Sequence, residues 1–290
     1  MRLASIKYSG NEIAAIVTNQ GLLPVHVFNE IGKNYPDTLF DLIETGQFEE
    51  LKTWWTSEGV ENLSTWSKQL IPYDKAEYAP LYRYPRKIWG IGLNYVEHAE
   101  DLHESAPRTE PASFMKPDTT IIGPGEVIKI PKQSNRTTAE AELGVIIGKR
   151  CKDVTEDEAI HYIAGYTTII DMTAEDILQV NPRYLTRSKS FDTFFSFGPH
   201  LVTPDEIDNL LNLRVSTIKN SKLHRLNVIS NMTFKPHWLL AFHSQVMTLL
   251  PGDIISTGTP GAAIIRHGDV VECHIDGFEP LVNPVKDLKA

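Results

Sequence analysis

Apolar and polar positions alternate over residues 3–8 and again over residues 13–17, and the turn formers Ser9, Gly10 and Asn11 lie between, so the chain predicts a β-hairpin. Helix-like spacing follows over residues 38–44 and 48–55, with another helical piece over 60–69. Residues 71–86 then carry Pro72, Pro80 and Pro85. Proline lacks the amide donor that helices and central strands need, so this segment predicts a boundary. Beyond it the texture changes to short apolar runs at 88–93, 143–147, 162–170 and 249–255, each bounded by Gly, Pro or charged residues, which is the pattern of short buried strands. Many strands with few helices predict an α+β, β-rich architecture, a folded or rolled mixed sheet rather than regular βαβ alternation. The expected organisation is a small N-terminal α/β domain over residues 1–82 and a larger β-rich domain over residues 83–290.

Composition narrows the function classes. Hydrophobic residues at 41% and charged residues at 22% match ordinary globular usage, which argues against a fibre or a disordered chain. A net charge of −9 argues against a general nucleic-acid binder, because that function needs basic surface to neutralise phosphate. Two cysteines, Cys151 and Cys273, are too few for a disulfide framework and read as buried thiols of a reduced protein. The first residues meet charge too early for a signal peptide, and no run reaches the roughly 18 apolar residues of a membrane span, so the expected location is cytoplasmic.

The chemistry concentrates in carboxylates. The segment Thr138-Ala-Glu-Ala-Glu-Leu-Gly reads as a strand entering an apolar run, and side chains two apart on a strand share a face, so Glu140 and Glu142 project side by side. Like charges so close call for a proton on one of them or a cation between them. Asp171 closes the next apolar run, where a strand would deliver it to an edge or a pocket rim. Three carboxylates without a His or Cys cluster favour a hard, oxygen-seeking ion: Mg²⁺, with Mn²⁺ or Ca²⁺ as substitutes. The same spacing also suits a solvated strand edge, with Asp171 as a helix N-cap.

Further motifs occur in a fixed order around these acids: Gly90-Ile-Gly-Leu-Asn-Tyr-Val-Glu-His98, Phe114-Met-Lys116-Pro, Gly123-Pro-Gly125, Lys189-Ser-Phe-Asp192 and Pro251-Gly-Asp-Ile-Ile-Ser-Thr-Gly-Thr-Pro260. Together they resemble the fumarylacetoacetate hydrolase family over residues 88–285. The resemblance implies a mixed β-roll catalytic domain, often in a homodimer, acting on small 2-keto or 2-hydroxydienoic acids. It implies Glu140, Glu142 and Asp171 as metal ligands and Lys189 as donor to the substrate carbonyl. It also implies Thr259 as a substrate-carboxylate donor, and His98 with Asp101 as the group that activates water. Asn94, Tyr95 and Lys116 read equally well as structural residues.

The activity expected from the resemblance is cleavage of a C–C bond in a 2,4-diketo acid through a metal-stabilised enolate, as in acylpyruvate hydrolysis. Decarboxylation or isomerisation of oxaloacetate-type or 2-hydroxyhepta-2,4-diene-1,7-dioate-type acids is the alternative, and a non-catalytic keto-acid binder is the reading of another class. Three departures bear on substrate choice. Asp101 stands where the family has Glu, and the shorter side chain reaches less far. Glu175 and Asp176 follow Asp171-Met-Thr-Ala where Arg then Asp is common, leaving Arg183 and Arg187 as candidate cations for a second substrate carboxylate. Ile218-Lys-Asn-Ser221 and Gly261-Ala-Ala-Ile-Ile replace two glycine-bearing loops.

Overall fold

Both predicted hairpin strands form, as Arg2–Tyr8 and Asn11–Thr18, joined by Ser9 and Gly10 at positive φ, 48° and 83°. Two residues with φ > 0 match the right-handed twist of the strands they join, which fixes the register Tyr8↔Asn11. The structure, a computed structural model, describes residues 1–97 and 109–290. His98 and Asp101 therefore lie outside the described residues.

The predicted helices appear as Leu39–Glu44, whose N-cap Thr38 hydroxyl accepts the Asp41 amide, and Gln47–Trp54, which continues into a wider turn over Trp55–Gly59. Residues 60–69 differ from expectation, with turns around a short 3₁₀ segment, Leu63–Trp66. Leu63 and Trp66 are the buried residues of that segment, and two anchors three apart suit a single turn as well as a helix.

Among the described residues, twelve strands form the larger sheet. From edge to edge it runs Gly21–Pro24, Asn11–Thr18, Arg2–Tyr8, His200–Val202, Ile163–Ala174, Thr137–Ile147, Ile254–Ser256, Ile88–Gly92 and Ala112–Lys116, with three short strands off this path. A second sheet of five strands is built mainly from the C-terminal third of the chain. The apolar run at 249–255 is a strand only from Ile254; Gly252, at φ 81°, turns the chain before it.

The two long central strands, Thr137–Ile147 and Ile163–Ala174, are buried along their whole length. Their alternate residues serve different neighbours. Ala139, Ala141, Leu143, Val145 and Ile147 enter the core shared with Val215, Val271, Ile275 and Leu281 of the smaller sheet. On the opposite face Ile146 and Ile169 join Leu3, Phe28, Trp54, Phe197 and Leu201, so the N-terminal segment packs over that face. Among the described residues, no helix is long and apolar enough to cross a membrane.

The N-terminal strands meet the rest of the sheet where Ala4 pairs with His200. His200 is buried, with Nε2 3.2 Å from the Tyr78 hydroxyl. Burial, reinforced by the Arg2 charge, pushes its imidazole down to about 4. Between about pH 6.5 and 4 the unfolded chain therefore binds a proton that the folded chain refuses, so stability is full above that window and falls as pH drops through it. Denaturant titration should show about 2 kcal/mol lost between pH 7 and pH 5 from this group, and His200→Gln should remove that share of the pH dependence while leaving the rest.

Candidate metal centre

The face of the central strands opposite the smaller sheet carries the acids. Glu140 and Glu142 are even-numbered on a strand whose odd positions face the core, so both point away from it. The antiparallel register sets Asp171 directly across from Glu140. Opposed residues in such a ladder hold their Cβ atoms about 5 Å apart, which brings the third carboxylate to the first two. One carboxylate oxygen from each of Glu140, Glu142 and Asp171 lies within 4.8 Å of the others, and all three residues are buried.

Two lysines close the cluster. Lys189, the last residue of the helix Leu185–Lys189, donates to Glu140 Oε2 at 2.7 Å and to Asp171 Oδ2 at 2.6 Å. Lys116, at the end of the strand Ala112–Lys116, donates to Asp171 Oδ1 and, at 3.3 Å, to the Met172 carbonyl. The Glu142 side chain is held separately, its Oε2 accepting the Ser256 hydroxyl at 2.5 Å and the Gly258 amide at 2.8 Å. Glu140 Oε1 accepts the Thr173 hydroxyl at 2.9 Å.

Burial pushes the Glu142 carboxyl up to about 8, with the Asp171 charge adding to the effect. Burial pushes Asp171 upward too, but Lys116 and Lys189 outweigh it and leave this carboxyl below its usual range. Burial lowers Lys116 to about 8 against the pull of Asp171, whereas for Lys189 the three carboxylates overcome burial and raise it. The cluster thus sets three carboxyl groups against two amines, and burial favours a proton on Glu142. A divalent cation fits this donor set, which is all oxygen, compact and hard, and its binding would expel the Glu142 proton.

Glycines make the packing around these groups possible. A Cβ on Gly90 would lie 2.2 Å from the Phe114 ring, and that ring lies 4.8 Å beneath the Lys189 ammonium. Gly258 donates its amide from φ 94°, pressed against Asn94, where a Cβ would come within 2.8 Å. Asn94 itself is a brace: its amide group bonds the Phe234 and Thr257 carbonyls and its oxygen accepts the Phe234 amide.

Of the residues expected from sequence, the three acids and Lys189 converge. Thr259 is buried nearby in the loop after Ile254–Ser256, where its hydroxyl donates to the Gly261 carbonyl and accepts the Gly261 amide, both at 3.2 Å. Arg183 and Arg187 are exposed. Glu175 pairs with Arg136 at 2.9 Å, and Asp176 accepts the Ser134 hydroxyl and the Asn135 amide, so the two acids that replace the common Arg-Asp organise the 134–136 turn. Sequence reasoning assigns no site role to two of the participants. Lys116 shares the strand face of Phe114, two residues earlier, and Ser256 lies within one of the ordered motifs, but neither position announces which acid it holds. Both cysteines are free and buried, as expected.

Residues 87–286 match the family model described as fumarylacetoacetate (FAA) hydrolase, C-terminal. An uncharacterised protein of Methanocaldococcus jannaschii is 44% identical over 204 residues, 70% of this chain and 84% of that protein. The mitochondrial oxaloacetate tautomerase fahd2 of Xenopus laevis is 39% identical over 210 residues, covering 69% of this chain and 66% of the relative. Among solved structures, maleylpyruvate hydrolase from Sphingobium sp. SYK-6, in complex with manganese(II) and pyruvate, aligns over 99% of both chains with a TM-score of 0.80 and 26% identity.

Two substitutions test the geometry. Ser256→Ala removes one of two donors that orient Glu142, and calorimetric Mn²⁺ titration should register affinity about 10–100-fold weaker; an unchanged isotherm would remove Glu142 from the ligand set. Gly90→Ala should displace Phe114 and cost about 1–3 kcal/mol in chemical denaturation, as overpacking does.

Proposed function

The chain belongs to the fumarylacetoacetate hydrolase family, and we propose that it is a divalent-cation-dependent enzyme interconverting the enol and keto forms of a small, oxaloacetate-type 2-keto acid. The observation that carries this reading is the convergence of Glu140, Glu142 and Asp171 from two paired strands, with Lys189 against them. Mg²⁺ is the proposed ion, with Mn²⁺ or Ca²⁺ able to substitute, and it would supply Lewis-acid stabilisation of negative charge on the keto oxygen. Everything else falls to the chain's own side chains.

Lys189 brings a fixed ammonium into a water-poor site, where a positive charge stabilises a developing oxyanion strongly. Released from the carboxylates, it is placed to donate to the substrate carbonyl. Ser256 and Gly258 hold Glu142 in one orientation, so this ligand needs no reorganisation when the site fills. Thr259 is the proposed donor to the substrate carboxylate. His98 with Asp101 is the proposed proton carrier, and tautomerisation asks of it only that a proton pass between carbon 3 and the oxygen on carbon 2, with no attack by water.

Two findings support different reactions. The tautomerase relative favours enol–keto exchange. The maleylpyruvate hydrolase likeness, which spans the full chain, favours a second reading in which the same site cleaves an acylpyruvate. A homodimer, implied by the family resemblance, and the cytoplasmic location expected from the sequence belong to the same proposal.

The readings separate in one assay panel with Mg²⁺: decay of oxaloacetate enol absorbance, pyruvate release from acylpyruvates, and carbon dioxide release. Accelerated enol decay without pyruvate release is the expected result. Asp171→Ala should abolish the acceleration, and Lys189→Met should lower it by about 10²–10³-fold. A protein that binds Mg²⁺ and pyruvate while turning over none of these acids would sink the catalytic readings and leave a keto-acid-binding protein.

A further inference from the structure

We infer that Lys116 sets which cation this centre accepts, by keeping one oxygen of Asp171 out of the coordination shell. The inference rests on the metal reading and concerns a residue outside the ligand set.

The two lysines at Asp171 stand in different relations to it. Lys189 bridges two different carboxylates of the cluster, taking Glu140 Oε2 and Asp171 Oδ2. A cation that collects those oxygens must displace it. Lys116 takes only the other oxygen of Asp171, together with the carbonyl of Met172 on the same strand. Its backbone is fixed in the sheet by the pairing Ile88↔Lys116, its side chain is wholly buried, and its ammonium lies 6.0 Å from the Phe194 ring centroid. Its side chain is buried, and among the described residues it holds one carboxylate and one carbonyl, so a cation that displaces Lys189 leaves it in place.

The neighbouring acids are arranged alike. Glu142 gives Oε2 to Ser256 and Gly258, and Glu140 gives Oε1 to Thr173. Each carboxylate thus has one oxygen engaged by a donor other than Lys189, which favours binding an ion through the other oxygen. Mg²⁺ and Mn²⁺ suit such a set, since Mg²⁺ requires near-octahedral geometry with single-oxygen ligands and retained water. Ca²⁺ takes roughly 6–8 oxygens and readily accepts a carboxylate through both. Lys116 is the one of the three restraints that carries a charge, and its buried ammonium on Oδ1 repels a cation from that oxygen and so disfavours a bidentate Asp171. It is therefore a positioning residue that discriminates against the larger ion.

The test is the ratio of Mg²⁺ to Ca²⁺ affinity, measured by calorimetry on the full chain. Lys116→Met keeps the length of the side chain and removes the donor. It should shift the ratio toward Ca²⁺ by about tenfold, while Lys116→Arg, which retains donors, should hold it near the wild-type value. General damage to the site would weaken both ions together and leave the ratio unmoved, so an unmoved ratio in Lys116→Met overturns the inference with the metal reading intact. Wild-type protein that binds neither Mg²⁺ nor Mn²⁺ overturns the metal reading itself. A structure of Mn²⁺-loaded wild-type protein gives an answer independent of any variant. Asp171 bound through Oδ2 alone, with Lys116 still on Oδ1, supports the assignment, and Asp171 bound through both oxygens refutes it.

Discussion

The register between two buried strands is the constraint on which the rest of this structure depends. Glu140 stands opposite Asp171 because Thr137–Ile147 and Ile163–Ala174 pair antiparallel along almost their whole length. A slip of one residue would send the acids into the apolar core and turn Ala139 and Ala141 outward, so the hydrophobic pattern that stabilises the core also enforces the geometry of the site. Structure and chemistry share one determinant here. The acids can crowd together because every alternative register costs buried apolar surface.

Crowding has an electrostatic cost, and the fold meets it locally. Three buried carboxylates without partners would not remain ionised. Lys116 and Lys189 enter from a strand end and a helix end, and hydroxyl and amide donors reach further carboxylate oxygens. A buried network held by charged groups on separate elements is sensitive to the loss of any one partner, because the group left behind has no solvent to turn to.

Much of this is legible in the sequence, for reasons that can be named. The period of two puts Glu140 and Glu142 on one face of a strand, and the apolar runs mark the strands that carry the acids. The hairpin is legible because a two-residue turn with glycine is a local signal. The pairing of Glu140 with Asp171 is not legible from spacing, since register between strands is a tertiary property, and only the ordered motifs of the family suggest it. Residues 60–69 mislead because two buried anchors satisfy a single turn as well as a helix. Lys116 stays ambiguous because a lysine at the end of an apolar strand is ordinarily a solvent-facing terminus, and its burial depends on the later strand it meets.

The joint between the N-terminal strands and His200–Val202 carries a consequence for how this protein can be divided. Without the first strand, His200–Val202 would become an open edge beside Phe195, Phe197 and Leu201, apolar side chains now covered by Leu3, Phe28 and Trp54. Unpaired strand edges over exposed apolar surface recruit other chains. The amino-terminal segment therefore acts as an edge guard for the sheet that bears the acids, so residues outside the stretch matching the family model protect it from edge-to-edge strand pairing.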